Sequence, residues 1–191
     1  MEAGRRGTPP SEQFFEMNSL QSKQRNAVAT LCPSCGLCCN GVLFGDVELQ
    51  RGDDAENLAE LGMNLQKKKS GKICFNQPCP CFDGKYCSTY ADRPKRCRTF
   101  ECRLLERAQS GKVTVSSALK AITEARRCAD DVRKLVRELG QNDERMPLNR
   151  RYSEVMSQPI ELADEEKSER RGDLMLAVHK LTKILERDFL T

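Results

Sequence analysis

Apolar residues recur three and four apart at Val115, Ala118, Ile122, Ala125, Ala129, Val132, Val136 and Leu139. That spacing draws one stripe along a helix of about six to seven turns, predicted over about 115–139, with Ser116 or Ser117 as N-cap and Gly140 as the stop. A stripe of this kind suits a coiled coil, but burial against the rest of a small domain is the reading taken here. Cys128 sits beside Ala129 on the stripe and reads as a small buried hydrophobe. A second stripe, Leu174, Val178, Leu181 and Leu185 with Ala177, Ile184 and Phe189 beside it, predicts an amphipathic C-terminal helix over 173–191 capped by Asp173. That helix is expected to pack on the first or to serve a protein partner or self-association. Between the two, residues 141–172 read as a polar connector with Pro147, Pro159 and a mixed-charge run from Asp164 to Arg171.

The pattern changes upstream. Val42 to Leu49 alternates loosely, as a strand does, and Asp53 to Leu61 has the acidic start and apolar spacing of a short helix. Lys67 to Lys72 reads as an exposed turn; Gln66 stands where a phosphate-binding loop needs glycine. From Cys74 to Cys102, Pro78, Pro80, Pro94 and the Asp83-Gly84 pair exclude a long helix and suggest a short hairpin. Residues 1–29 are read as mostly flexible, with Phe14, Phe15, Met17 and Leu20 able to dock a short helix. The expected fold is therefore mostly α with short β strands, a small α+β domain over 30–140 whose loop-rich lobe packs on the long helix, with the C-terminal helix appended.

Composition sharpens this. The chain has 191 residues, 38% hydrophobic and 31% charged, with no tryptophan, which is lean for a domain that must bury its own core. A bound metal would supply what the core lacks. There is no apolar run long enough for a membrane span and no signal-like segment, so a cytoplasmic protein is expected, where thiols stay reduced. A net charge of +4 with no aromatic platform among the basic residues argues against a nucleic-acid binder.

The chemistry is concentrated in cysteine. Ten of eleven cysteines fall between Cys32 and Cys102, beginning with Cys32-Pro-Ser-Cys35-Gly-Leu-Cys38-Cys39. Thiols two residues apart can converge on one soft cation through a tight turn whose backbone N–H groups face the sulfurs. An odd count in a reducing compartment argues against a disulfide framework. Ten thiols exceed the four ligands of one tetrahedral ion, and the adjacent Cys38 and Cys39 diverge, which favours a bridged or two-centre arrangement. The one histidine, His179, lies far away in the last helix and reads as a surface or packing residue, so the centre is all-thiolate or completed by a carboxylate or water. Zinc or iron, the latter including an iron-sulfur cluster, is the expected cofactor. Arg93, Lys95, Arg96, Arg98 and Arg103 around Cys97 and Cys102 would balance thiolate charge.

Cys32-x2-Cys35-x2-Cys38-Cys39 followed by Cys81-Phe82-x4-Cys87-Ser88-x-Tyr90-x2-Arg93-Pro94-x2-Cys97-Arg98 resembles the YkgJ family of cysteine-cluster proteins, the CxxCxxCC zinc- or iron-chelating domain, over about residues 30–105. The resemblance implies Cys32, Cys35, Cys38, Cys39, Cys81, Cys87 and Cys97 as metal ligands, with Cys74, Cys79 and Cys102 as possible additions. It also places Tyr90, Arg93 and Pro94 behind them: Pro94 fixing a turn, Arg93 and Tyr90 donating hydrogen bonds to sulfur or backbone. The family name describes chelation and no reaction. A flagellin lysine methylase carries a related motif, so a metal-dependent group-transfer enzyme, methyltransferase-like, is the alternative. A thiol-redox role for Cys32-Pro33-Ser34-Cys35 and a zinc-stabilised interaction module are further alternatives. No catalytic triad, HExxH helix, dinucleotide loop or Walker motif points to a commoner enzyme class.

Overall fold

The computed structural model describes residues 27–159 and 164–190. Phe14, Phe15, Met17 and Leu20 lie outside them. The chain runs through helix α1 (residues 27–35), β1 (Asp46–Glu48), α2 (Ala55–Glu60), β2 (Leu65–Lys67), β3 (Ile73–Asn76), α3 (Lys95–Thr99), α4 (Arg103–Gln109), α5 (Val115–Glu138), α6 (Leu148–Ser157) and α7 (Glu165–Asp188). It is a small α+β fold, mostly helical, as the sequence predicts.

The stripe on α5 is buried at Ala118, Ile122, Ala125, Cys128, Ala129, Val132 and Val136, while Val115 lies at its exposed end. Thr114, rather than Ser116 or Ser117, is the N-cap: its hydroxyl accepts the Ser117 N–H at 3.1 Å. The exit is a Schellman turn. Gly140, at φ +92°, donates to the Arg137 carbonyl, and Gln141 donates to that of Val136. Along its length α5 packs mainly on α7, and the two share a core with α1, α4 and α6.

The last helix begins about two turns before Asp173. Asp164 caps it by accepting the Lys167 N–H at 2.9 Å, and Glu165 and Glu166 sit favourably in the first turn. The charge run hid this start, because its helix-facing residue is a charged one. Arg171 is buried at 6% exposure and donates to the Gln158 and Met156 carbonyls, both at 3.0 Å, closing the C-terminal end of α6. Arg151, equally buried, does the same for the Gln141 carbonyl after α5. The stretch read as a polar connector thus holds α6 and the first turns of α7.

The three strands form an antiparallel sheet in the order β1-β3-β2, with Phe75 of β3 opposite Val47 on one side and Leu65 on the other. Phe75, Val47, Leu58, Met63 and Cys81 make a second, small core. The β2–β3 hairpin closes through Lys68 to Lys72, the turn the sequence predicts, and Lys68 and Lys72 pair with Asp46 and Glu48. Asp83-Gly84 turns a second hairpin, marked by the Phe82–Cys87 bridge. The result is a helical bundle and a sheet lobe, with eight of the eleven cysteines where they meet.

Candidate metal centre

Each cysteine is positioned by a short local device. Helix α1 ends at Cys35, and Gly36 stops it with φ +64°, donating back to the Cys32 carbonyl at 3.1 Å. A Cβ at Gly36 would lie 2.5 Å from the Phe82 ring, so this position needs glycine for both backbone and space. The turn that follows carries Cys38 and Cys39. Arg126 of α5 holds the end of α1 by donating to the Ser34 carbonyl at 2.9 Å, and the Leu148 N–H holds the turn by donating to the Gly41 carbonyl. The Cys79 N–H donates to the Cys39 carbonyl at 2.8 Å and brings the second cysteine run beside the first. Asp53 fixes the start of α3, and so Cys97, by accepting the Lys95 N–H at 2.7 Å. Cys102 caps α4.

These devices bring eight cysteines, Cys32, Cys35, Cys38, Cys39, Cys79, Cys87, Cys97 and Cys102, to the wall of one cavity of about 690 Å³. Six of them belong to the ligand set implied by the resemblance. Cys79 and Cys102, ranked there as additions, stand with them. Cys81, which the resemblance places among the ligands, is buried in the sheet-lobe core with its thiol donating to the Leu61 carbonyl at 3.5 Å. Cys74 is buried on the sheet, away from the cavity wall, and Cys128 is buried in the helical core. His179 is exposed on α7.

Arg93 lines the cavity, its guanidinium 3.6 Å from the centroid of the Tyr90 ring and its Nε donating to the Tyr90 carbonyl at 2.9 Å. Tyr90 itself is largely exposed, and Pro94 is buried as the N-cap of α3. Arg93 thus serves as a cation at the thiols, with Tyr90 as its rest.

Burial pushes the thiols of Cys35, Cys39 and Cys79 up to about 12 and that of Cys97 to about 11, and raises Cys32, Cys38 and Cys102 as well. Neighbouring sulfurs add to the rise: Cys35, Cys39 and Cys102 act on Cys38; Cys97, Cys87 and Cys32 on Cys39; Cys102 on Cys32 and Cys35; and Cys87 on Cys79 and Cys97. Opposing it are the charge of Arg93 on Cys32, Cys39 and Cys97, and backbone N–H bonds to sulfur from Leu37 to Cys35, Cys81 to Cys79, and Leu104 and Leu105 to Cys102. Such N–H bonds are made for thiolate, and only a cation among the sulfurs would keep so many of them deprotonated at once.

The sign of the pH effect follows. In the metal-free chain the Cys35 thiol, packed against the helical core, holds a proton that the unfolded chain releases above the ordinary value of 9.0, so its contribution to stability is fully present below pH 9.0 and falls as pH rises toward 12. Denaturant midpoints of metal-free protein, taken on either side of pH 9.0, are expected to drop on the alkaline side by more than in a Cys35→Ser variant; equal drops would refute this origin.

Donor chemistry suits a soft cation: thiols in excess, no histidine, N–H groups aimed at sulfur and a guanidinium alongside. Among the described residues, no group of three or more Cys, His, Asp or Glu side chains is already placed to hold a metal ion. The backbone gathers the thiols; a cation would have to draw the sulfurs the rest of the way.

Compared with known families, residues 31–129 match the CxxCxxCC model, described as "Putative zinc- or iron-chelating domain". No curated protein and no solved structure matches the chain. No helix among the described residues is long and apolar enough to cross a membrane. With the match covering just over half of the 191 residues, and with the YkgJ resemblance consistent with it, the chain belongs to the CxxCxxCC family of zinc- or iron-chelating domains.

Proposed function

We propose that the protein binds zinc or iron through the thiols of this cavity, and that the bound metal fastens the sheet lobe to the helical bundle. The observation that carries the reading is the gathering of eight cysteines from six stretches of chain onto one cavity wall, in a protein whose sheet lobe has only five buried core residues of its own. All eleven cysteines are free thiols, which suits a reducing, cytoplasmic setting. A thioredoxin-type use of Cys32 and Cys35 requires them at the opening of a helix; here they close α1, with Cys35 its last residue.

The test is elemental analysis with a visible spectrum on untagged protein purified without oxygen. Zinc or iron in at least stoichiometric amount is expected. Iron with acid-labile sulfide and a broad band near roughly 400 nm would identify a cluster, and a colourless zinc protein a structural site. A folded protein that neither carries zinc or iron nor takes it up would refute the reading.

A further inference from the structure

We propose that the cavity holds two separate four-thiol centres: Cys32, Cys35, Cys38 and Cys102 against the helical bundle, and Cys39, Cys79, Cys87 and Cys97 against the sheet lobe, divided at the Cys38–Cys39 peptide. This rests on the metal-binding reading above and goes beyond it by assigning ligands to ions. Eight thiols are twice the complement of one tetrahedral ion.

Packing supplies the division. Cys35 and Cys102 pack against the core built from α1, α4, α5, α6 and α7, whereas Cys79, Cys87 and Cys97 pack against the core of Val47, Leu58, Met63 and Phe75. Cys32 lies one turn before Cys35 on α1, so it goes with the helical set; Cys39, whose carbonyl accepts the Cys79 N–H, goes with the lobe set. Cys38 falls to the first set and Cys39 to the second because side chains of successive residues leave the backbone in different directions. Charge runs within each set, Cys102 bearing on Cys32, Cys35 and Cys38 and Cys87 on Cys39, Cys79 and Cys97, but it also crosses between them, Cys39 bearing on Cys38 and Cys32 on Cys39, so packing rather than charge draws the boundary. Arg93 bears on members of both, as a shared counter-ion would. Each set contains one thiol that the family motif does not require, Cys102 in the first and Cys79 in the second. Cys81, bonded to the Leu61 carbonyl, belongs to neither.

The experiment loads the metal-free full chain with Co(II) alone and reads bound metal by elemental analysis and thiolate-to-cobalt absorption. The parent is expected to take up two equivalents, Cys102→Ser and Cys79→Ser one each, and Cys81→Ser two. One variant losing both equivalents, or the parent binding only one, would overturn the division while leaving metal binding intact. A parent that binds none overturns both. Since a variant can fail to fold, a second measurement uses the parent: at one equivalent of Co(II), alkylation mapped by peptide mass spectrometry should show Cys32, Cys35, Cys38 and Cys102 protected together, or Cys39, Cys79, Cys87 and Cys97 together. Protection that mixes Cys102 with Cys79 in one ion's set would overturn the assignment.

Discussion

Stripping the metal is expected to open the sheet lobe and leave the α5–α7 pair folded. Among the described residues the helical core has twenty buried residues, including the α5 stripe from Ala118 to Leu139; the lobe core has five, Val47, Leu58, Met63, Phe75 and Cys81. Five side chains make a thin apolar core for residues 36–101, whose backbone loses conformational freedom on folding. A three-stranded sheet of strands three to four residues long adds little stability of its own. A structural cation contributes its binding free energy directly to folding in small metal domains, and would do so for this lobe. With a chelator present, limited proteolysis should therefore cut within 36–101 while far-UV circular dichroism keeps most of its helical signal. An unchanged cleavage pattern after verified metal removal would show that the lobe stands by itself.

Replacing Phe189 with alanine is expected to produce the largest loss among single core changes. The ring is 1% exposed, seated in the helical core at the end of α7 and reaching the cavity wall. Truncating such a phenylalanine costs about 3–5 kcal/mol, or a fall in melting temperature of about 10 °C for a chain of this length. The damage should also spread to the site. The Phe189 carbonyl accepts the Arg103 N–H at 3.2 Å, the first N–H of α4, directly after Cys102. Phe189→Ala should thus lower metal retention as well as melting temperature, whereas Leu176→Ala, at a side chain 71% exposed on the same helix, should change neither. Melting within about 2 °C of the parent would mean that the α7 end does not support the cavity.

The long helix was legible because its stripe obeys one rule from Ala118 to Val136, and even Cys128 follows it. The early start of α7 was not, because Arg171 is buried through its hydrogen bonds to carbonyls rather than through apolarity. A scan for hydrophobic periodicity passes over a residue of that kind. α6 was missed for a related reason: besides Leu148 and Val155, its third buried residue is Arg151. At the metal centre, spacing revealed the CxxCxxCC run, since α1 and its glycine stop are local. It could not rank Cys79 against Cys81. The two flank Pro80, and which faces the cavity depends on the hydrogen bond from Cys79 to the Cys39 carbonyl, forty residues back in the chain. Cys102 likewise meets the first run only through the packing of α4 on the bundle.

That last juxtaposition reaches beyond the site. Cys32 and Cys102 stand roughly seventy residues apart in the chain, on the elements that lead into and out of the sheet lobe. An ion bound by both would act as a removable cross-link. By the loop-closure relation used for disulfides, tying a loop of that length removes about 4 kcal/mol of freedom from the unfolded chain. Unlike a disulfide, such a tie is made and released by the supply of metal rather than by an oxidant.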